Sequence, residues 1–287
     1  MDKSFRDALS NLARVGNSFG AAPQRRPDWT SGLKFSIKDA RRQRVGYLWF
    51  VGDFASFNER AIVATRAAAT VFHRAGLDFG ILRERESNSG NDVRLAGKDK
   101  LFESLHDRNV QALAKARFDA VVTTDPHSFQ ALKYEYPEID GGRAVWHHTQ
   151  VLVDAIASGT LQVHHKLRQA VTYHDPCYLG RYNAIFGAPR RLIAALGLTL
   201  IEMPRNRTYS YCCGAGGGRI WMGDPPMIRE RPALARVREA SMLQGVRTLV
   251  VACPKDLVMF DEAIRDGGLG SRIEVREVAE LVEEATR

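Results

Sequence analysis

Two stretches, Phe118–Leu132 (FDAVVTTDPHSFQAL) and Arg247–Phe260 (RTLVVACPKDLVMF), carry the same pattern. Each is a short β-branched run, then a residue pair ending in proline, then helical apolar spacing. Asp125-Pro126 aligns with Cys253-Pro254 at an offset of 128 residues. Working outward, Asp53 after YLWFVG aligns with Cys177 after VTYHDP, and SNSGN (87–91) aligns with YCCGA (211–215), both at 124. Three anchors at nearly one offset describe a chain built twice from one unit.

The rest of the sequence fits that reading. In the first copy, strands are predicted over 44–52, 78–82, 118–124 and 143–147, with helices over 59–75, 99–116 and 127–134. In the second, strands over 169–173, 199–203, 248–252 and 272–275 alternate with helices over 189–196, 228–245, 257–266 and 277–285. Such alternation predicts an α/β fold: two tandem related units with mainly parallel sheets. The expected divisions are a basic N-terminal arm (1–44), a first unit (45–160) and a second unit (161–287).

Composition narrows the class. The 287 residues, 45% hydrophobic and 26% charged, are ordinary for a globular protein able to bury its own core. No apolar run is long enough for a membrane helix, and the start has no secretory h-region, so a cytoplasmic protein is expected. Residues 1–44 hold ten basic and four acidic side chains, which concentrates most of the net charge of +8 in the arm. The aromatics there are scattered rather than set out as a stacking surface, which argues against nucleic acid and for docking on an acidic protein partner.

All four cysteines, Cys177, Cys212, Cys213 and Cys253, lie beyond residue 176. Each stands where a strand hands over to a loop or helix, the edge at which open α/β sheets bind ligands. The first copy has Asp53, Asn88, Ser89, Asp125 and Ser128 where the second has Cys177, Cys212, Cys213, Cys253 and Asp256, so only the second can form a thiolate site. Four thiols match the ligand count of one zinc or one iron–sulfur cluster. Adjacent Cys212 and Cys213 suit the separate corners of a cluster better than one small ion. A cluster's negative charge calls for backbone N–H groups, which Gly214, Gly216, Gly217 and Gly218 can bring close, and for cations such as Arg181, Arg205 and Arg219. Three readings compete: GAGGGR (214–219) as a dinucleotide loop, Cys177 with His174 and Asp175 as a nucleophile, and the pairs His147-His148 and His164-His165 as metal ligands.

The pattern Cys177…Cys212-Cys213-Gly214…Cys253-Pro254 resembles the cysteine-rich CCG domain of heterodisulfide reductase and of the glycolate oxidase iron–sulfur subunit. HDPCYLGRYN (174–183), MPRNR (203–207) and CCGAGGGRIWM (212–222) carry the likeness, which covers about residues 45–285. It implies one [4Fe–4S] cluster on Cys177, Cys212, Cys213 and Cys253, with Zn²⁺ as the alternative. Gly214, Gly216, Gly217 and Arg219 would line the cofactor. The expected role is electron transfer among separate iron–sulfur or flavoprotein subunits, electron-transferring flavoprotein among them, with any membrane association through those subunits. A zinc-holding scaffold and a catalytic disulfide reductase are the alternatives. The family motif ends Cys-x-x-Cys, whereas Asp256 stands last here. Asp256 reads as a helix N-cap, with a weak carboxylate ligand as the other option.

Overall fold

The computed structural model describes residues 2–139, 143–224 and 227–287. The first sheet comprises β1 (Lys38–Asp39), β2 (Val45–Phe50), β3 (Phe79–Ile81), β4 (Phe118–Thr123) and β5 (Val145–His147). The second comprises β6 (Ala170–Tyr173), β7 (Thr199–Leu200), β8 (Thr248–Val251) and β9 (Glu274–Glu277). Strand orders are β1-β3-β2-β4-β5 and β7-β6-β8-β9, and neighbours pair in parallel throughout. Without β1, the two sheets have one topology, as the sequence repeat requires. The central strands are β-branched and aromatic runs covered on both faces, the composition of parallel strands.

Helices α1 (Lys3–Val15), α2 (Asp53–Phe57), α3 (Glu59–Arg74), α4 (Asn91–Leu95), α5 (Asp99–Leu113), α6 (Pro126–Tyr134) and α7 (His148–Ala157) belong to the first half. The second half has α8 (Gly187–Ala195), α9 (Pro232–Ser241), α10 (Pro254–Asp266) and α11 (Val278–Ala285). The halves pack reciprocally, α3 against α11 and α8 against α7. One apolar core runs through both, from Trp49 and Val122 to Val171, Tyr173 and Val250. The two closing helices also start alike. His147 caps α7 with Gln150, and Glu277 caps α11 with Glu280, a further anchor of the repeat. At this seam His148 Nε2 lies 3.0 Å from Glu277 Oε1. Burial drives both towards neutrality, His148 down to about 3 and Glu277 up to about 8.

Residues 1–44 are built into the first half. Lys38–Asp39 extends its sheet, and Trp29 is buried with its ring 5.3 Å from that of Trp49. Arg26, 3% exposed, donates to Asp53 (2.8 Å) and Glu86 (3.0 Å). Arg41 is paired with Asp39 and Glu84, so part of the basic charge is neutralised inside the fold. Phe5 of α1 packs over Gly218, where a Cβ would come within 2.1 Å of the ring.

Prolines move the expected helix boundaries. Pro126 and Pro254 occupy the first helical position, so α6 and α10 begin before His127 and Leu257. Pro232 likewise starts α9 later than residue 228. The strand expected over 199–203 shortens to edge strand β7, and the one over 272–275 shifts to Glu274–Glu277. Among the described residues, no helix is long and apolar enough to cross a membrane.

Candidate metal centre

Three loops at the C-terminal edge of the second sheet bring the cysteines towards one another. Cys177 follows β6, Cys253 ends the β8 connection as the N-cap of α10, and Cys212-Cys213 lie on the long loop between β7 and α9. Cys177 is half-buried, Cys212 exposed, and Cys213 and Cys253 buried. Cys212 is hydrogen-bonded to Cys177 and Cys213, and Cys213 to Asp256. The Gly214 N–H donates to Cys212 Sγ (3.3 Å) and the Ala215 N–H to Cys213 Sγ (3.4 Å). The N–H of Asp256 donates to Cys253, which aims the α10 N-terminus at that sulfur.

These contacts set the protonation of the thiols. Hydrogen bonds from Cys177 and Cys213, with the Gly214 N–H, hold the Cys212 thiol well below its ordinary value. Its anionic sulfur and burial in turn push Cys177 and Cys213 up, and burial pushes Cys253 up.

A cavity of about 490 Å³ opens on this group, bordered by Cys177, Cys212, Gly214, Gly216, Gly217 and Arg219. Gly214 (φ +87°) and Gly217 (φ +66°) have left-handed backbone that a side chain would strain. The Gly217 N–H points to Asp92 Oδ1 (3.0 Å), so the amides of this loop that reach sulfur are those of Gly214 and Ala215. Arg219 pairs with Asp224 (3.2 Å) at the rim, and Arg181 donates to the carbonyls of Thr208 and Ser210. Arg205 is tied to Glu239 and lies 3.9 Å over the Tyr211 ring.

Asp256 is not the N-cap that its position after a strand suggests. Cys253 takes that place, because Pro254 begins the helix, and Asp256 falls in the first turn with its side chain inward. Its buried carboxyl meets Cys213 and lies 3.5 Å from His174 Nε2, and burial raises it to about 7. The Cys177–His174–Asp175 nucleophile does not assemble. His174 faces Asp256 and Arg236, while Asp175 is held by Arg190 at 2.7 and 2.8 Å. GAGGGR leads into the single turn Arg219–Trp221 and opens no long helix, so it is not a dinucleotide loop. His147 and His148 sit fully buried at the seam between the halves, away from the cysteine cavity.

The first half fills the equivalent place with hydrogen bonds. Asn88 Nδ2 donates to Asp53 Oδ2 (2.8 Å), and Ser128 Oγ donates to Asp125 Oδ2 (2.8 Å) and lies 3.2 Å from Ser89 Oγ. Ser18 donates to Asp53 as well, and the space left is about 10 Å³. Three residues unremarked in the sequence link the two places: Asp92, His127 and Lys255. Burial opposes ionisation of Asp92, but Lys255 and His127 offset it and hold this carboxylate well below its usual range. The signal that could have found the linking pair was the repeat itself, since His127 aligns with Lys255.

Comparison with known proteins agrees with this duplication. The cysteine-rich domain named CCG matches twice, over residues 55–133 and 171–261. The chain is 32% identical over 289 residues to the probable iron-sulfur-binding oxidoreductase FadF of Bacillus subtilis, across 98% of this chain and 41% of that protein. It is 28% identical to the EtfAB:quinone oxidoreductase of Syntrophomonas wolfei, across 96% of this chain and 40% of the relative. It is 32% identical to a subunit of the dihydromethanophenazine:CoB–CoM heterodisulfide reductase of Methanosarcina barkeri, across 83% of this chain and 58% of that protein. The chain therefore spans only about two fifths to three fifths of the length of these relatives. With both copies of the domain matched and the second carrying all four cysteines, the chain belongs to the cysteine-rich CCG-domain family.

Proposed function

We propose that this chain is an iron–sulfur electron-transfer unit of a multi-subunit oxidoreductase, with one [4Fe–4S] cluster on Cys177, Cys212, Cys213 and Cys253. The observation that carries the reading is the gathering of every thiol of the chain at one sheet edge, with backbone N–H groups on three of the sulfurs. The printed names of the relatives, an iron-sulfur-binding oxidoreductase among them, support it. When bound, the cluster supplies reversible one-electron storage. The chain's own part is to bury Cys213 and Cys253, to offset sulfur charge with the Gly214 and Ala215 amides, and to leave Cys177 and Cys212 beside an open cavity. Burial and hydrogen bonds to sulfur are the levers that set a cluster's potential.

The partners in this reading are iron–sulfur or flavoprotein subunits, electron-transferring flavoprotein among them. Lys3, Arg6 and Arg14 are exposed on α1, the helix whose Phe5 covers the glycine loop, and they offer an acidic partner a cationic face close to the cysteines. The test is anaerobic purification followed by metal analysis, absorption and EPR. Iron with sulfide, broad visible absorption and a signal that appears on reduction are expected. A colourless protein holding one zinc overturns the reading.

A further inference from the structure

Away from the cysteines, the first half carries a further cavity, of about 840 Å³, that shares no lining residue with the one beside Cys177 and Cys212. Residues 1–44 build one wall of it. The turn Arg83–Arg85 after β3 and the end of α5, with the residues just beyond it, build the other.

The lining is cationic, and much of that charge is unspent. Arg41 bonds Asp39 (2.7 Å) and Glu84 (2.8 Å), and Arg42 lies 3.7 Å from Asp39. Glu86 turns inward to Arg26 and to the amides of Val51 and Gly52. These acids are therefore engaged already. Arg14 bonds only the neutral side chain of Asn11 (3.2 Å), and Arg108 only the Ala13 carbonyl (2.7 Å). Arg85 and Lys115 are exposed and take no bonded partner among the described residues. Arg14, Arg85, Arg108 and Lys115 thus line one cavity with no acid to balance them. Like charges gathered in this way repel one another, and an anion among them removes that cost.

The form of the cavity names the class of anion. Guanidinium forks take phosphate oxygens in pairs, and cations on two facing walls suit a chain of phosphates, which sets several charges within a few ångströms. A single carboxylate would leave most of these donors unused. The volume is that of a site enclosing a molecule of nucleotide size, not of a flat protein patch. Beside the cations, Gln24 and Gln111 offer amides and Val15 and Pro23 an apolar edge to the group that the phosphates carry.

We infer that this cavity binds a small molecule bearing a di- or triphosphate chain, held by Arg14, Arg85, Arg108 and Lys115. The site forms only because residues 1–44 pack on the first half, so that segment holds a ligand as well as completing the fold. It does not depend on the iron–sulfur reading.

The test is isothermal titration calorimetry of the full chain with inorganic pyrophosphate, then with ADP, at about 0.15 M salt. Saturable binding of pyrophosphate at one site is expected. Arg85→Ala combined with Lys115→Ala should weaken it by about tenfold or more. That variant should melt with the wild type, since neither side chain bonds within the fold. Lys100→Ala combined with Arg272→Ala removes the same charge from exposed positions outside the cavity, and should leave the affinity within about twofold. Tighter binding of ADP than of pyrophosphate identifies a nucleotide as the occupant, and equal binding identifies a free polyphosphate. No saturable binding of either, or equal weakening by both double variants, overturns the assignment. Binding of a polyglutamate peptide but of neither phosphate compound also overturns it, and makes this face a protein-docking surface.

Discussion

At the ends of β2 and β4 in the first half, and of β6 and β8 in the second, equivalent loops meet over equivalent sheets with opposite contents. The second half leaves Cys177 and Cys212 beside a cavity of about 490 Å³, with Cys213 and Cys253 buried. The first closes the same place to about 10 Å³, with Asn88 bonded to Asp53 and Ser128 to Asp125 and Ser89. Closure needs more than lost cysteines, because two carboxylates left there alone would be buried and unsatisfied. Ser18 and Arg26, both from residues 1–44, donate to Asp53 and satisfy it. One CCG unit can therefore be kept as structure once another segment supplies the donors that its empty site requires.

The sharpest way to break this comparison is to change one residue of the corresponding place in each half. Cys213→Ser is expected to remove most of the bound iron, whereas Ser128→Ala should leave iron content unchanged. Metal analysis of the two purified variants decides it, and equal iron in both would place the centre elsewhere.

The next effect is on stability. Arg26→Ala strands Asp53 and Glu86 without their cation, and loss of one partner from a buried pair costs about 3–5 kcal/mol. Denaturant melts should show that loss, with iron per folded chain unaffected. A variant as stable as wild type would mean that residues 1–44 are not what completes the first half.

The smallest effect tests the seam through pH. Folded Glu277 keeps its proton up to about pH 8 while the unfolded chain releases it near 4.5, so stability falls as pH rises through that window. Folded His148 stays neutral down to about 3 while the unfolded chain gains a proton below 6.5, so stability rises with pH up to 6.5. The two cancel between 4.5 and 6.5, leaving a fall of about 2 kcal/mol from pH 6.5 to 8. Glu277→Gln, which keeps an oxygen for the α11 cap, should abolish that fall. A wild-type fall of the same size in the variant would show that the pair does not titrate this way.

The fold was legible where it is local. Runs such as RVGYLWFVG and TLVVA announce strands by composition, and the alignment of Asp125-Pro126 with Cys253-Pro254 exposes the duplication without any contact being known. The strand-end places of Cys177 and Cys253 were legible for the same reason, whereas Cys212-Cys213 lie on a long loop well past β7. What stayed hidden depends on partners distant in sequence. Arg26 reads as one more charge on a basic arm until Asp53 and Glu86 are seen around it. Asp256 reads as a cap because Asp suits that position, but Pro254 moves the helix start and turns the carboxyl towards Cys213. His127 carries no motif at all, and only the crossing of the two halves brings it to Cys253.

The measurement that tests the account most directly is the number of irons and acid-labile sulfides per chain in anaerobically purified protein. One cluster, in the second half only, predicts about four of each. A value near eight, or iron retained after Cys213→Ser, would mean that the first half also holds a centre, and would contradict the asymmetry on which the account rests.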